Sequence, residues 1–306
     1  MKVYVSFPLD EEFRQMGEEI LGKGKIIFTP EEDAAAALVR DNSFPRYNGL
    51  KFVQSITAGT DQLDINSIPR DVTVASNAGA YSIPVAEHCF ALILERAKKI
   101  SRFSSRTRAG FFEPEGTKAL YGKTIGIIGY GGIGSRVAHI AKSFGMRVVA
   151  IGRGHKDQNA DVFLGLESLD SLLSESDYVV ISIPLTSITS GLIGKRELER
   201  LREGCMIVNV ARPEIVNMED MLEFLDRRRD VSYLTDVWWG EPELRDTNRE
   251  NVVVTPHVAG GLSKEFMRIA FGEAFLNIKR FLDGETPRNI VRREESVYFQ
   301  RKKLGV

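Results

Sequence analysis

Thr124-Ile125-Gly126-Ile127-Ile128-Gly129-Tyr130-Gly131-Gly132-Ile133-Gly134 is the stretch that decides the fold: a β-branched run, a G-x-G-x-x-G turn, then apolar positions at helical spacing through residue 144. A strand entering such a turn and a helix leaving it predict a dinucleotide site. Gly129 permits the tight turn, Gly131 lets the backbone approach a pyrophosphate, and Gly134 lets helix and strand pack closely. Gly132 and Ile133 open the helix, whose unpaired N–H groups face the phosphates. The other readings of this loop are a glycine turn without a ligand and the adenosyl-binding turn of a methyltransferase.

Working outward, runs rich in Val and Ile recur at 147–151, 178–183, 205–210, 232–237 and 251–254. With 124–128 they predict a six-stranded parallel sheet, nearly continuous in apolar residues because both faces are covered. Helical spacing appears between them at 133–144, 166–173, 195–201 and 217–229. Shorter pieces precede this: strands at 2–6, 25–29, 38–40, 51–56 and 72–76, and a helix at 9–21. Long helices at 84–105 and 263–282 carry the chain out of this smaller lobe and back. The expected fold is α/β with two Rossmann-like lobes. A doubly wound dinucleotide-binding domain, 94–269, is inserted into a smaller, flavodoxin-like substrate domain, 1–93 plus 270–306. A length of 306 residues suits two domains at a prior of about 150 each.

Composition narrows the function. With 43% hydrophobic and 27% charged residues the chain is an ordinary globular one, neither collagen-like nor disordered. Its formal charge of -1 offers no global field for nucleic acid or anionic membrane. No signal-peptide pattern opens the chain, and no apolar run is long enough to span a bilayer. Cys89 and Cys205, each with apolar neighbours and no C-x-x-C, read as buried hydrophobes in a reducing cytoplasm. Neither they nor His88, His139 and His155 form a metal-ligand cluster, so no metal is expected. The charged run at 227–230 reads as a solvated helix end.

An acid about 20 residues beyond the glycine loop normally accepts the adenosine ribose hydroxyls. Here Gly152 and Arg153 stand at that point, with His155 and Lys156 nearby and no acid before Asp157. Arg suits a 2′-phosphate, which favours NADP over NAD.

Ligands of an open parallel sheet bind beyond the carboxyl ends of its strands, and three residues with chemistry lie there: Arg212, Glu241 and His257. A cation, a carboxylate and an imidazole are what reduction of a 2-keto acid requires. The carbonyl oxygen gains charge as hydride arrives, an imidazolium can supply its proton, and a guanidinium can hold the carbonyl and carboxylate. A carboxylate beside the imidazole favours its protonated form and fixes the ring.

The text around these residues resembles the D-isomer-specific 2-hydroxyacid dehydrogenase family from Lys2 to about Val291. The matching segments are Ala58-Gly59-Thr60-Asp61, Asn77-Ala78-Gly79-Ala80, Val85-Ala86-Glu87, the glycine loop, Pro184-Leu185-Thr186, Asn209 to Arg212, Asp236 to Pro242, and Thr255-Pro256-His257. The resemblance implies an active site in the cleft of a two-lobed protein, with Arg212 on the substrate and Glu241 paired with the acid/base His257. It also implies that the backbone N–H groups of Ala58, Gly59 or Thr60 take the substrate carboxylate. Asp236 would meet the nicotinamide carboxamide, and Pro184, Thr189, Val210, Ala211 and Gly260 would line the cofactor. Members are usually homodimers joined through the large lobe. Pro213 departs from the glycine that usually follows the arginine, and Gly152-Arg153 departs from the usual acid.

The expected activity is therefore hydride transfer between NAD(P)H and a small 2-keto acid, such as hydroxypyruvate or glyoxylate, giving the D-2-hydroxy acid as a glycerate dehydrogenase does. One alternative is a corepressor-like protein of the same fold that senses the dinucleotide with little turnover. Another is a phosphoglycerate dehydrogenase without a regulatory domain, in which Arg40 or Arg46 would meet the phosphate. Tyr81 shapes the substrate pocket or packs.

Overall fold

The computed structural model describes residues 1–30, 34–44, 49–154, 157–261 and 263–298. Arg46, His155 and Lys156 lie outside the described residues. The described residues divide into two compact units, a smaller one of Met1–Tyr81, Leu185–Ile188 and those between 261 and 298, and a larger one containing Ser82–Pro184 and Thr189–Gly260.

In the smaller unit the strands are β1 (Lys2–Val5), β2 (Ile26–Ile27), β3 (Ala34–Val39), β4 (Phe52–Ser55) and β5 (Thr73–Ala75). They form a parallel sheet in the order β2-β1-β3-β4-β5, which is the flavodoxin-like order. Side chains alternate between its faces. Ala36, Leu38 and Phe52 pack with Phe13 of helix Glu11–Leu21 and with Phe271, Phe275 and Ile278 of helix Lys264–Leu282. Ala37, Val39 and Val53 pack on the other side with Leu63, Ile65, Ile68 and Val74. The third strand is longer than the 38–40 expected from the sequence, because Ala34 to Ala37 are a central, wholly buried strand. An alanine run carries no β-branched signal, yet its small side chains suit a strand covered on both faces.

The larger unit contains β6 (Thr124–Ile128), β7 (Arg147–Ile151), β8 (Val162–Leu164), β9 (Tyr178–Ile181), β10 (Met206–Asn209), β11 (Ser232–Thr235) and β12 (Val252–Val254). All pair in parallel in the order β12-β11-β10-β9-β6-β7-β8. This is the doubly wound Rossmann arrangement with one strand added, and its direction reverses between β6 and β9, the crevice where such sheets bind ligands. The six expected strands all form. The seventh, β8, was missed because it is a three-residue, half-exposed edge.

Two boundaries differ from the expected division at 93/94 and 269/270. Helix Ser82–Lys98 lies wholly in the larger unit and helix Lys264–Leu282 wholly in the smaller one. A helix packs as one rigid body, so the chain changes units before each helix starts rather than within it. The expected helix 84–105 is also two: Lys99 adopts a left-handed φ of 54°, and a second helix runs Ile100–Arg108.

Candidate active site

The glycine loop joins β6 to helix Gly132–Ser143. Gly129 has φ 104°, and a Cβ there would lie 2.5 Å from the Ile183 backbone nitrogen. A Cβ on Gly134 would lie 2.1 Å from the Gly129 carbonyl oxygen, so strand and helix touch at this point. Gly131 differs: a Cβ there would meet nothing within 4 Å. Its lack of a side chain is therefore not demanded by the protein's own packing. An open cradle at the N-terminus of a twelve-residue helix fits the pyrophosphate of a dinucleotide. Ser182, just past β9, donates its hydroxyl to the Gly129 carbonyl at 2.8 Å and holds the loop against the neighbouring strand.

Beyond β7, Gly152 is a packing glycine, since a Cβ would lie 2.9 Å from Tyr130 Cβ and 3.0 Å from the Phe163 ring. Arg153 follows it, exposed. The first acid of this loop, Asp157, is engaged: the Tyr130 hydroxyl donates to its Oδ1 at 2.5 Å and the Asn159 N–H at 2.8 Å. Although partial burial opposes it, these hydrogen bonds hold the Asp157 carboxyl below its usual range. Pro184 and Thr189 bracket the loop after β9, where the buried Thr189 donates its hydroxyl to the Pro184 carbonyl at 2.6 Å.

Arg212 follows β10. The buried Asn209 at the strand end accepts the Ala211 N–H at 3.0 Å and donates to the Arg212 carbonyl at 3.0 Å and the Tyr233 hydroxyl at 3.1 Å, so one side chain sets the path of 209–212. Val210 and Ala211 are buried. Pro213 occupies the first position of the 3-10 turn Pro213–Ile215, where its missing N–H and fixed φ suit the backbone. A proline in place of the usual glycine is thus accommodated by a turn that starts immediately after Arg212.

Glu241 and His257 come together. His257 Nδ1 lies 2.9 Å from Glu241 Oε2, and the other carboxylate oxygen accepts the Trp238 N–H at 2.5 Å. A carboxylate only accepts, so Nδ1 is the donor and Nε2 is left as the atom for proton exchange. His257 has φ 55°, a left-handed conformation that costs a non-glycine residue roughly 1–3 kcal/mol. The buried Asp236 offsets that cost. Its Oδ1 accepts the Val258 N–H at 2.9 Å and the Thr255 hydroxyl at 2.6 Å, and its Oδ2 accepts the Ala259 N–H at 2.7 Å. Gly260 ends this loop half-buried. Arg212, Glu241 and His257 therefore follow the carboxyl ends of three adjacent strands, β10, β11 and β12.

In the smaller unit Ala58, Gly59 and Thr60 form the loop after β4. The Thr57 hydroxyl donates to the Gly59 carbonyl at 2.7 Å and shapes the turn. Arg40 stacks its guanidinium over the Phe7 ring at 5.1 Å. Tyr81 donates its hydroxyl to the Ile56 carbonyl at 2.9 Å, and burial pushes its phenol up to about 12. Both cysteines are buried, and burial pushes the Cys205 thiol up to about 12.

Sequence reasoning missed Asn209 and Thr255 as positioning groups, although both lie in the family-like segments, and it gave His88 no role. His88 Nε2 lies 2.9 Å from Thr255 Oγ1 and 3.6 Å from Asp236 Oδ1, 148 positions further along the chain. No local spacing marks such a pair. Among the described residues no group of three His, Cys, Asp or Glu is placed to hold a metal ion, and no helix is long and apolar enough to cross a membrane.

Residues 90–259 match the family described as D-isomer specific 2-hydroxyacid dehydrogenase, NAD binding domain. A glyoxylate reductase of Aeropyrum pernix is 33% identical over 299 residues, covering 90% of this chain and 86% of the relative. A hydroxypyruvate reductase of Thermotoga maritima is 29% identical over 290 residues, covering 88% and 94%. The crystal structure of a glycerate dehydrogenase related protein from Thermoplasma acidophilum is 47% identical, with a TM-score of 0.71, covering 92% of this chain and all of that one. The glycine loop, the His257–Glu241 pair and these likenesses agree: the chain is an oxidoreductase that uses NAD(P) and belongs to the D-isomer specific 2-hydroxyacid dehydrogenase family.

Proposed function

We propose that this enzyme prefers NADPH and reduces small 2-keto acids, glyoxylate and hydroxypyruvate foremost, to the D-2-hydroxy acid. The observation that carries the reading is the His257–Glu241 pair at 2.9 Å, on a loop that Asp236 clasps from both sides of the histidine. The bound nicotinamide supplies the hydride. His257 gives a proton from Nε2 to the carbonyl oxygen as it gains charge, and Glu241 holds the ring and stabilises the imidazolium. Arg212 holds the substrate's carbonyl and carboxylate, and the N–H groups of Ala58, Gly59 and Thr60 receive that carboxylate. In support, the three N–H groups make no hydrogen bond to another described residue. Asp236 receives the nicotinamide carboxamide, and the glycine loop with Pro184, Thr189, Val210, Ala211 and Gly260 lines the cofactor.

NADPH is favoured because Asp157 is engaged by Tyr130 while Gly152-Arg153 stands where a ribose-binding acid would be. A small substrate is supported by the similarity to a glyoxylate reductase and a hydroxypyruvate reductase. In this reading the smaller unit is the substrate domain, the larger the dinucleotide-binding domain, and the working form is a cytoplasmic homodimer.

The test is oxidation of NADPH and NADH, followed at 340 nm, against glyoxylate, hydroxypyruvate, pyruvate, 2-oxoglutarate and phosphohydroxypyruvate. Strong turnover of either of the first two acids with NADPH is expected. Preference for phosphohydroxypyruvate would overturn the substrate assignment. Cofactor binding without turnover of any acid would move the corepressor reading ahead.

A further inference from the structure

We propose that His88 is a positioning residue for the cofactor: it donates to the Thr255 hydroxyl and, through it, orients the Asp236 carboxylate toward the nicotinamide carboxamide. The proposal rests on the reading of Asp236 as the carboxamide acceptor. The geometry assigns the direction of each bond. Thr255 Oγ1 lies 2.6 Å from Asp236 Oδ1 and 3.5 Å from the Thr235 carbonyl, so its single proton goes to the carboxylate. His88 Nε2, 2.9 Å from the same oxygen, then has no proton to accept and must be the donor. The order is His88 Nε2–H to Thr255 Oγ1–H to Asp236 Oδ1, a chain in which each bond polarises the next.

The consequence falls on Asp236. Oδ1 takes the Thr255 hydroxyl and the Val258 N–H, which fills it, whereas Oδ2 takes only the Ala259 N–H among the described residues. Oδ2 therefore keeps one acceptor site, and the relay decides which oxygen keeps it. Without a donor on its far side, the Thr255 hydroxyl is free to turn to the Thr235 carbonyl, which removes one of the two bonds on Oδ1. The carboxylate can then rotate, and its preference for a carboxamide N–H weakens. His88 is on helix Ser82–Lys98 and its side chain is 21% exposed, so the relay ties that helix to the loop bearing His257 without filling a core position.

The test compares binding, by fluorescence titration, of the reduced nicotinamide cofactor and its 3-acetylpyridine analogue, which lacks the carboxamide N–H groups. Wild type, His88→Ala and His88→Gln are titrated, glutamine because its amide nitrogen reaches the place of Nε2 and donates as it does. Wild type should favour the carboxamide by roughly tenfold, the scale of one hydrogen bond to a charged group. His88→Ala should lose most of that ratio while binding the analogue as wild type does, and His88→Gln should restore it. The KM for cofactor should rise in His88→Ala with kcat changed less. If wild type does not discriminate, the role given to Asp236 fails. If wild type discriminates and His88→Ala does so equally, the relay is overturned and the Asp236 role stands. Failure of His88→Gln to restore the ratio also overturns the relay.

Discussion

Two glycines three residues apart in the cofactor loop should respond oppositely to the same methyl group. Gly131 caps helix Gly132–Ser143 with φ −96° and ψ −154°, extended backbone that alanine adopts freely, and its Cβ would meet nothing within 4 Å. Alanine loses less chain entropy than glycine on folding, about 0.4–1 kcal/mol in its favour, and is the poorer N-cap by a similar amount. The two nearly cancel, so Gly131→Ala should unfold at the wild-type temperature. In the proposed function its methyl would stand in the open space that the pyrophosphate takes. Losing one charge-assisted hydrogen bond there costs roughly 1.5–3 kcal/mol, about tenfold to 150-fold in Kd. Gly134→Ala is the reverse. Its methyl would sit 2.1 Å from the Gly129 carbonyl oxygen, so helix and strand must separate. Overpacking of this kind costs about 1–3 kcal/mol, at roughly 2–4 °C per kcal/mol for a domain of this size. The assay is a pair of measurements on each variant: thermal unfolding without cofactor, and NADPH fluorescence titration. Gly131→Ala that binds NADPH as wild type does would refute the placement of the pyrophosphate, and Gly134→Ala at wild-type stability would refute the contact geometry.

His257→Ala should lower turnover by about a hundredfold or more, from the usual scale of lost general acid catalysis, while NADPH titrates normally; wild-type-like turnover would sink the proton-transfer assignment. Arg153→Ala should weaken NADPH by roughly tenfold and leave NADH nearly unchanged, as loss of one charge-assisted contact does; equal loss for both cofactors would show that Arg153 does not read the 2′-phosphate. Asn209→Ala removes the bonds that Asn209 makes to the Ala211 N–H, the Arg212 carbonyl and the Tyr233 hydroxyl, so stability should fall by about 1–3 kcal/mol and the KM for the keto acid should rise; an unchanged unfolding midpoint and KM would remove Asn209 from the positioning groups. With both cysteines buried and the Cys205 thiol pushed up to about 12, native protein should not react with a disulfide reagent at pH 8 and denatured protein should show both thiols; rapid labelling of the native state would contradict the burial.

Physical signals that are local in the chain were legible in advance. Gly134 is dictated by a contact within one strand–turn–helix unit and Gly129 by the φ of its own turn, although the atoms a Cβ at 129 would strike belong to Ser182 and Ile183 beyond β9; the β-branched runs of the larger sheet announce themselves because burial on both faces leaves little room for polar residues. The alanines of β3 and the short edge β8 escaped for the opposite reason: one is apolar without β-branching, the other is half-exposed. Arg212, Glu241 and His257 could be picked out because strand ends are where a parallel sheet presents ligand contacts, and the pairing of two of them at 2.9 Å followed. His88 could not be. Its partner Thr255 is 167 residues away and the two meet only when helix Ser82–Lys98 packs against the larger sheet. Arg153 illustrates a middle case, since its place after β7 was readable but its exposure and the engagement of Asp157 by Tyr130 were not.

The buried polar residues at the ends of β10 and β11 account for how loops can hold reacting groups in fixed positions. Asn209, Thr235 and Asp236 are each 2% exposed or less, among the buried Ile207, Val208 and Leu234. A polar group left unpaired there costs about 1–3 kcal/mol, and each is satisfied mainly by backbone of a loop or of a neighbouring strand. Asn209 binds the segment leading to Arg212; the Thr235 hydroxyl accepts the Val237 N–H and has the Asn209 and Val237 carbonyls within reach of its one proton; Asp236 binds Thr255, Val258 and Ala259. If the Asp236 loop moved, it would leave a buried carboxylate short of donors, so the loop and the left-handed His257 within it are held by the cost of every alternative. Strain at His257 is therefore a consequence of satisfying Asp236. A substitution that relaxes φ at 257 without keeping the Val258 and Ala259 N–H groups on Asp236 should cost more stability than it returns.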